Sequence, residues 1–157
     1  MTIYLLAALI GVVAGLRAMT APAAVSVGAW FGCLSLAATP LAFLASPWAA
    51  GILAVFAVGE LISDQLPSTP SRKVPVQFGT RLLTGGLSGA AIGATGGLLV
   101  PGLIAGVVGA VIGTYGGAAL RSWLAGLFGR DLPAALIEDV IAVGGAILIV
   151  CAVARPL

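Results

Sequence analysis

Glu60 and Asp64 stand one helical turn apart, Glu138 and Asp139 are neighbours, and Arg17, Arg81 and Arg121 each interrupt a long apolar stretch. Carboxylates and guanidiniums in such surroundings can do two things. They can pair and fix the register of the helices that carry them, or they can form a polar site for an ion, a proton or a small anionic ligand. An ionised side chain in hydrocarbon costs roughly 2.5–3.5 kcal/mol on insertion scales, so such groups turn inward and pair. The expectation is that Glu60, Asp64, Glu138 and Asp139 meet Arg17, Arg81 and Arg121 in one buried cluster. Glu60 and Glu138 are the carboxylates best placed to take up a proton. Adjacent side chains on a helix diverge, so one of Glu138 and Asp139 should face the core and the other a neighbouring helix or the interface. Arg121 has a third option, snorkelling to the membrane surface.

Other chemistries are poorly provided for. Histidine is absent, which removes the commonest metal ligand and the usual proton shuttle near neutral pH. Cys33 and Cys151 are too few for a zinc site or a disulfide framework. A bridge between them is one reading, and two small buried residues the favoured one. No His or paired Cys activates a nucleophile. Gly85-Gly86 and Gly96-Gly97 lack the strand and lysine of a phosphate loop. The chain therefore reads as a non-enzyme, with no catalytic residue, metal or cofactor. A net charge of +2 without a basic patch argues against nucleic acid as a partner.

The elements that hold the charges follow from composition. Hydrophobic residues make up 61 % of the 157 and charged residues 8 %, with a mean hydropathy of +1.20. Soluble domains are about 45–50 % apolar and about 25 % charged. Lipid is the solvent that suits such a chain, and residues 1–157 read as a single integral membrane domain. A spanning helix needs roughly 20 apolar residues. Six segments come close: Ile3 to Ala18, Ala21 to Ala38, Pro47 to Ser63, Val76 to Leu99, Pro101 to Leu124 and Pro133 to Ala154. The fold class is thus all-α, a polytopic transmembrane bundle of about six helices. No Lys or Arg precedes the first apolar run, so it reads as a membrane segment rather than a signal peptide. The first two segments are short enough to enter and leave on one side, which requires that protein bury them.

Orientation follows from the basic residues. If all six segments span and the chain starts outside, Arg17, Arg72, Lys73, Arg81, Arg121 and Arg130 lie on the cytoplasmic side, and Arg155 alone lies outside. The acids gather at the same inner face, leaving the outer half almost purely apolar. The loop Pro67-Ser68-Thr69-Pro70-Ser71-Arg72-Lys73 reads as solvated. Its two basic residues fall short of an anionic-lipid cluster. Trp30, Trp48 and Trp123 fall near helix ends, where indoles favour the interface.

Glycines supply the packing signal. Gly89, Gly93 and Gly97 on the fourth helix and Gly109, Gly113 and Gly117 on the fifth recur every four residues. That spacing puts them on one face, where missing side chains let two backbones approach closely. A glycine-zipper contact between helices 4 and 5 is expected, within one chain or between copies.

Gly15-Leu16-Arg17, the segment Glu60-Leu61-Ile62-Ser63-Asp64-Gln65-Leu66-Pro67 with Pro70, Arg72 and Pro75, and the stretch Leu136 to Gly145 around Ile137-Glu138-Asp139 resemble the domain-of-unknown-function family numbered 4126. The resemblance covers nearly the whole chain. It implies a small, multi-pass bacterial membrane protein of the inner membrane and brings no activity with it. The leading expectation is a small transporter or channel-like protein. Its carboxylates would handle protons or cations, and its arginines would bind anions or hold the carboxylates ionised. The competing expectation is a structural or assembly protein that oligomerises through its glycine-rich helices, its charges serving only packing. The partners implied are the lipid bilayer, further copies of the chain, and a small ion or anionic ligand.

Overall fold

Ser46 and Pro47 show how local sequence starts a helix here. The Ser46 side chain accepts from the Ala49 amide at 3.1 Å, and Pro47 occupies the first helical turn, where its missing N–H leaves no bond unmade. The computed structural model describes residues 2–65 and 74–154. Its elements are α1 (Thr2–Leu16), α2 (Thr20–Trp30), a 3-10 turn (Ala42–Ala45), α3 (Pro47–Ser63), α4 (Pro75–Ala94), α5 (Leu99–Phe128) and α6 (Asp131–Ala154). The chain is all-helical, with no strand among the described residues. The solvated loop at residues 67–73, including Arg72 and Lys73, and Arg155 lie outside the described residues.

Two helices, α5 and α6, are long and apolar enough to cross a membrane. The others depart from the expected even set of spans. The second segment stops at Trp30 instead of Ala38, because Gly32 adopts φ 79° and closes a Schellman cap. In that cap the Cys33 amide donates to the Gly28 carbonyl and the Gly32 amide to that of Ala29. The same device ends α4 at Ala94 rather than Leu99. Gly97 has φ 72°, the Leu98 amide donates to Gly93, and the Gly97 amide donates to Ala94. Gly97 is therefore a cap residue, not a member of a packing face. The fifth helix runs on to Phe128 rather than Leu124, and the sixth begins at Asp131 rather than Pro133.

The helices alternate in direction. The start of α1, the segment after α2, the α4–α5 turn and the end of α6 all border one cleft at the uncharged end, through Ile3, Cys33, Thr95 and Val153. Helix α5 runs through the bundle between α1 and α4. Its glycines serve both neighbours. A Cβ on Gly102 or Gly106 would overlap the backbone of Gly85, Gly89 and Gly93 in α4, and one on Gly109 or Gly113 would overlap Ala8 and Val12 in α1. So Gly109 and Gly113 face α1, not α4, and Gly117 is buried further along the same helix. The reason is that α1 carries its own small-residue stripe, and Gly11 and Gly15 sit against Gly106, Ala110 and Gly113.

Small residues line the contacts of α5 with α1 and α4, and the outside is large and apolar. Trp48, Val55, Leu83, Val140 and Leu148 are 72–80 % exposed. Cys33 and Cys151 are free and exposed, correcting the expectation of two buried residues. Helix α3 packs chiefly on α2 and the 3-10 turn. Near its last turn, the side chains of Glu60 and Asp64 tie it to the rest of the bundle.

Candidate functional site

Between Leu16 and Thr20 the chain leaves one helix and enters another. A helix break strands carbonyls at one end and amides at the other. Here Arg17 is fully buried and Ala18 3 % exposed, so water cannot serve them. Two distant side chains do so. Arg81, from the second turn of α4, donates through one terminal nitrogen to the carbonyls of Gly15 and Leu16, both at 2.7 Å. Glu60, from the last turn of α3, accepts from the amides of Ala18 and Met19, both at 2.7 Å. The two caps lie 3.9 Å apart. Each also complements the helix dipole, a cation on the carbonyl end of α1 and an anion on the amide end of α2.

Arg17 turns the other way. It pairs with Asp64 at the end of α3 and with Asp139 of α6 at 2.5 Å, with Glu138 4.0 Å away. Glu138 lies 3.5 Å from Arg121 of α5. Arg121 reaches Asp131 in a two-point contact, at 3.0 and 2.6 Å, and donates to the Asp64 carbonyl at 3.2 Å. The Gln65 amide donates to Asp139 at 3.4 Å. All seven charged residues singled out from the sequence are thus paired, in two sets on either side of the break: Glu60 with Arg81, and Arg17 and Arg121 with Asp64, Glu138 and Asp139. Arg17, Arg81 and Glu138 are no more than 2 % exposed. Glu138 is buried and lies against Arg121 of α5, whereas Asp139 is partly exposed and meets Arg17 and Gln65. Arg121 is held by ion pairs rather than snorkelling.

Sequence reasoning missed three contributors. Asp131 opens α6 ten residues after Arg121, a distance that a tight turn folds into contact. Gln65, next to Asp64, reaches Asp139. The stranded backbone groups of residues 15–19 could have been found, since Arg17 and Pro22 lie close together in an otherwise apolar run.

The network sits inside the bundle. Arg81 is six residues into α4, Arg121 seven from the end of α5 and Glu138 seven into α6, each about 9–10 Å along the axis. Among the described residues three guanidiniums face five carboxylates, an excess of negative charge. Nothing in the arrangement presents a guanidinium fork to a free anion: Arg17 is sealed, while Arg81 and Arg121 donate to backbone carbonyls and carboxylates. No group of three or more potential metal-ligating side chains is found among the described residues.

No family model, curated protein or solved structure matches this chain.

Proposed function

We propose that this is a multi-pass membrane protein of the small transporter or channel-like kind, with the charge network as its working part. Its ligand would be a proton or small cation. The observation that carries this is the break between α1 and α2, where fully buried helix ends meet ion pairs drawn from α3, α4, α5 and α6. Membrane transporters build ion sites at broken helices, whose exposed amide and carbonyl ends can face a charged ligand. The apolar exterior around small-residue helix contacts supports membrane placement, because large apolar side chains facing outward on all sides suit lipid as the surrounding solvent.

Helix lengths support a particular arrangement. Helix α1 has 15 residues and α2 has 11, about 22 and 16 Å against a hydrocarbon core of about 30 Å. In this reading α1 and α2 form a hairpin that enters from the uncharged side and turns at the network, while α3 to α6 span. Residues at such a turn must be sealed by protein, as residues 15–18 and Thr20 are. The end bearing Arg130, where α3 ends and α4 begins, faces the cytoplasm.

The test is flux. The purified protein in liposomes, under a proton or sodium gradient, should collapse the gradient faster than empty liposomes, and Glu60→Gln and Glu138→Gln should abolish the difference while remaining folded. No flux from the parent protein would remove this reading. The structural reading then takes its place, and one observation favours it: all three network arginines are engaged within the chain. An assembly protein of that kind would not oligomerise through Gly89, Gly93, Gly109 and Gly113, whose faces are filled by α1, α4 and α5.

A further inference from the structure

Helix α3 is fastened firmly at its two ends and loosely along its length. Of its 17 residues, Ala50 and Ala57 alone are buried. It packs chiefly on α2 and the 3-10 turn. A groove of about 280 Å³ lies between it, α2 and α6, with Ala54, Val58 and Leu61 on one wall and Val143 and Ile147 on another. The first end is fixed through the turn that precedes it. Ser26 of α2, fully buried, donates its hydroxyl to the carbonyl of Leu44, itself buried in that turn. One extended residue, Ser46, with φ -79° and ψ 145°, stands between the anchored turn and Pro47. A residue at the end of an element, where a change of φ and ψ can be absorbed, is where hinges sit.

The second end is fixed by hydrogen bonds and charge. Glu60 accepts from the amides of Ala18 and Met19, and Asp64 pairs with Arg17. Both contacts are made to the break between α1 and α2. While they hold, the amides of Ala18 and Met19 have partners in place of water, and Arg17 is sealed. If that end of α3 lifts, the same amides and the Arg17 guanidinium lose those partners and open toward the charged end. Elements with few buried apolar contacts open at the lowest free energy, and α3 has this character along its length.

We propose that α3 is a hinged cover over the α1–α2 break: it pivots at Ser46, and its Glu60–Asp64 end docks on residues 17–19 and lifts from them. Docked, it keeps the break dry. Lifted, it admits water from the charged end. The motion required is small. A tilt of about 10° moves the far end of a 17-residue helix, about 25 Å long, by about 4 Å. That parts hydrogen bonds made at 2.7 Å. Glu60 and Asp64 are in this sense positioning residues, which hold the cover shut. The inference rests on the break being the working part of the protein, as proposed above, and names the element that opens it, but its test reads motion and not flux.

Distances between pairs of nitroxide spin labels test this, in the full chain in nanodiscs and in a Cys33→Ser/Cys151→Ser background. One pair, Gly59→Cys with Leu136→Cys, occupies exposed positions of α3 and α6 in their charged halves. The other, Trp48→Cys with Leu148→Cys, occupies exposed positions of the same helices toward the uncharged end. Glu60→Ala should move the first distance distribution outward by about 4 Å or more and leave the second in place, which also reports that the variant is folded. Asp64→Asn should move the first pair in the same direction. The break should become wet with the same change: in everted vesicles, a membrane-impermeant maleimide should label Ala18→Cys about tenfold faster with Glu60→Ala than without it. Should Glu60→Ala not fold, Glu60→Gln and Asp64→Asn decide with the same two pairs. A first distribution that no folded variant moves would overturn the proposal. So would an equal shift of both pairs, which is α3 leaving the bundle as a whole and not a hinge at Ser46. A protein whose α3 lifts but which carries no ion keeps this inference and loses the transport reading; ion flux with an immobile α3 does the reverse.

Discussion

Glu60 and Arg81 come from helices that do not adjoin in the bundle, yet their charged groups lie 3.9 Å apart and between them close both sides of the break in the α1–α2 hairpin. The pair works as one device. Glu60 takes the stranded amides, Arg81 takes the stranded carbonyls, and each partly neutralises the other where water is excluded. Apolar residues in their place would leave the amides of Ala18 and Met19 and the carbonyls of Gly15 and Leu16 without these partners.

Removing Glu60 strands two buried amides. Each buried donor left unsatisfied costs about 1–3 kcal/mol, so Glu60→Ala should destabilise the protein by about 2–5 kcal/mol. Glu60→Gln keeps one carbonyl oxygen as acceptor and should lose less than half as much. Thermal unfolding in detergent, followed by tryptophan fluorescence at fixed protein concentration, checks the order. Equal stability of Glu60→Ala and the parent would mean that the amides find other partners.

Arg81→Leu should cost about 3–5 kcal/mol, because it leaves Glu60 buried with its nearest cation gone. The double variant Glu60→Ala/Arg81→Leu should lose less than the sum of the two single changes, with a coupling of about 1–3 kcal/mol. Additive losses would show that the two caps act separately.

The cluster was legible in the sequence because few forces act on it. A charge in an apolar run has few places to go, so Arg17, Glu60, Asp64, Arg81, Arg121, Glu138 and Asp139 had to meet if the chain buried them. The positions of α3 and α6 were readable from Pro47 and from the length of the apolar runs. Helix ends were harder. Gly32 and Gly97 looked like small residues among many, and only the backbone reveals that their positive φ ends α2 and α4. The two sides of α5 were also hidden. Gly102 and Gly106 match Gly89 and Gly93 across one face, but the partner of Gly109 and Gly113 is α1, whose Gly11 and Gly15 are too few to announce a packing stripe. Where α3 would stand off from α6 and leave a groove could not be read, since the apolar period of a helix in lipid does not distinguish lipid from protein as its neighbour.

The glycines separate packing from propensity. Gly106→Ala puts a methyl group into the Gly85 carbonyl and the Gly89 backbone, which cannot yield without moving α4 away from α5. It should destabilise by about 2 kcal/mol or more, within the range of overpacked cores. Gly116→Ala, on the same helix with open space around it, should be neutral or stabilise by about 0.5–1 kcal/mol, since alanine restricts the unfolded chain. The ratio of folded to aggregated protein on size-exclusion after heating measures both. If both changes had the same effect, close approach of α4 and α5 would not be what Gly106 provides.

Sidedness can be read with the native thiols. Cys33 lies in the segment that follows α2, at the uncharged end, and is exposed, whereas Arg130 sits in the α5–α6 turn at the charged end. In a Cys151→Ser background, a membrane-impermeant maleimide added to intact cells should label Cys33. After Cys33→Ser and Arg130→Cys, the same reagent should label only when the membrane is opened. A cysteine at Ala18, in the turn of the α1–α2 hairpin, should resist the reagent from both sides, because protein seals that turn. Labelling of Ala18→Cys from the cytoplasmic side in everted vesicles, as fast as that of Arg130→Cys, would mean that the first two helices reach the far surface. The hairpin would then be two crossings, and the network would lie at the membrane boundary instead of about 10 Å inside the bundle.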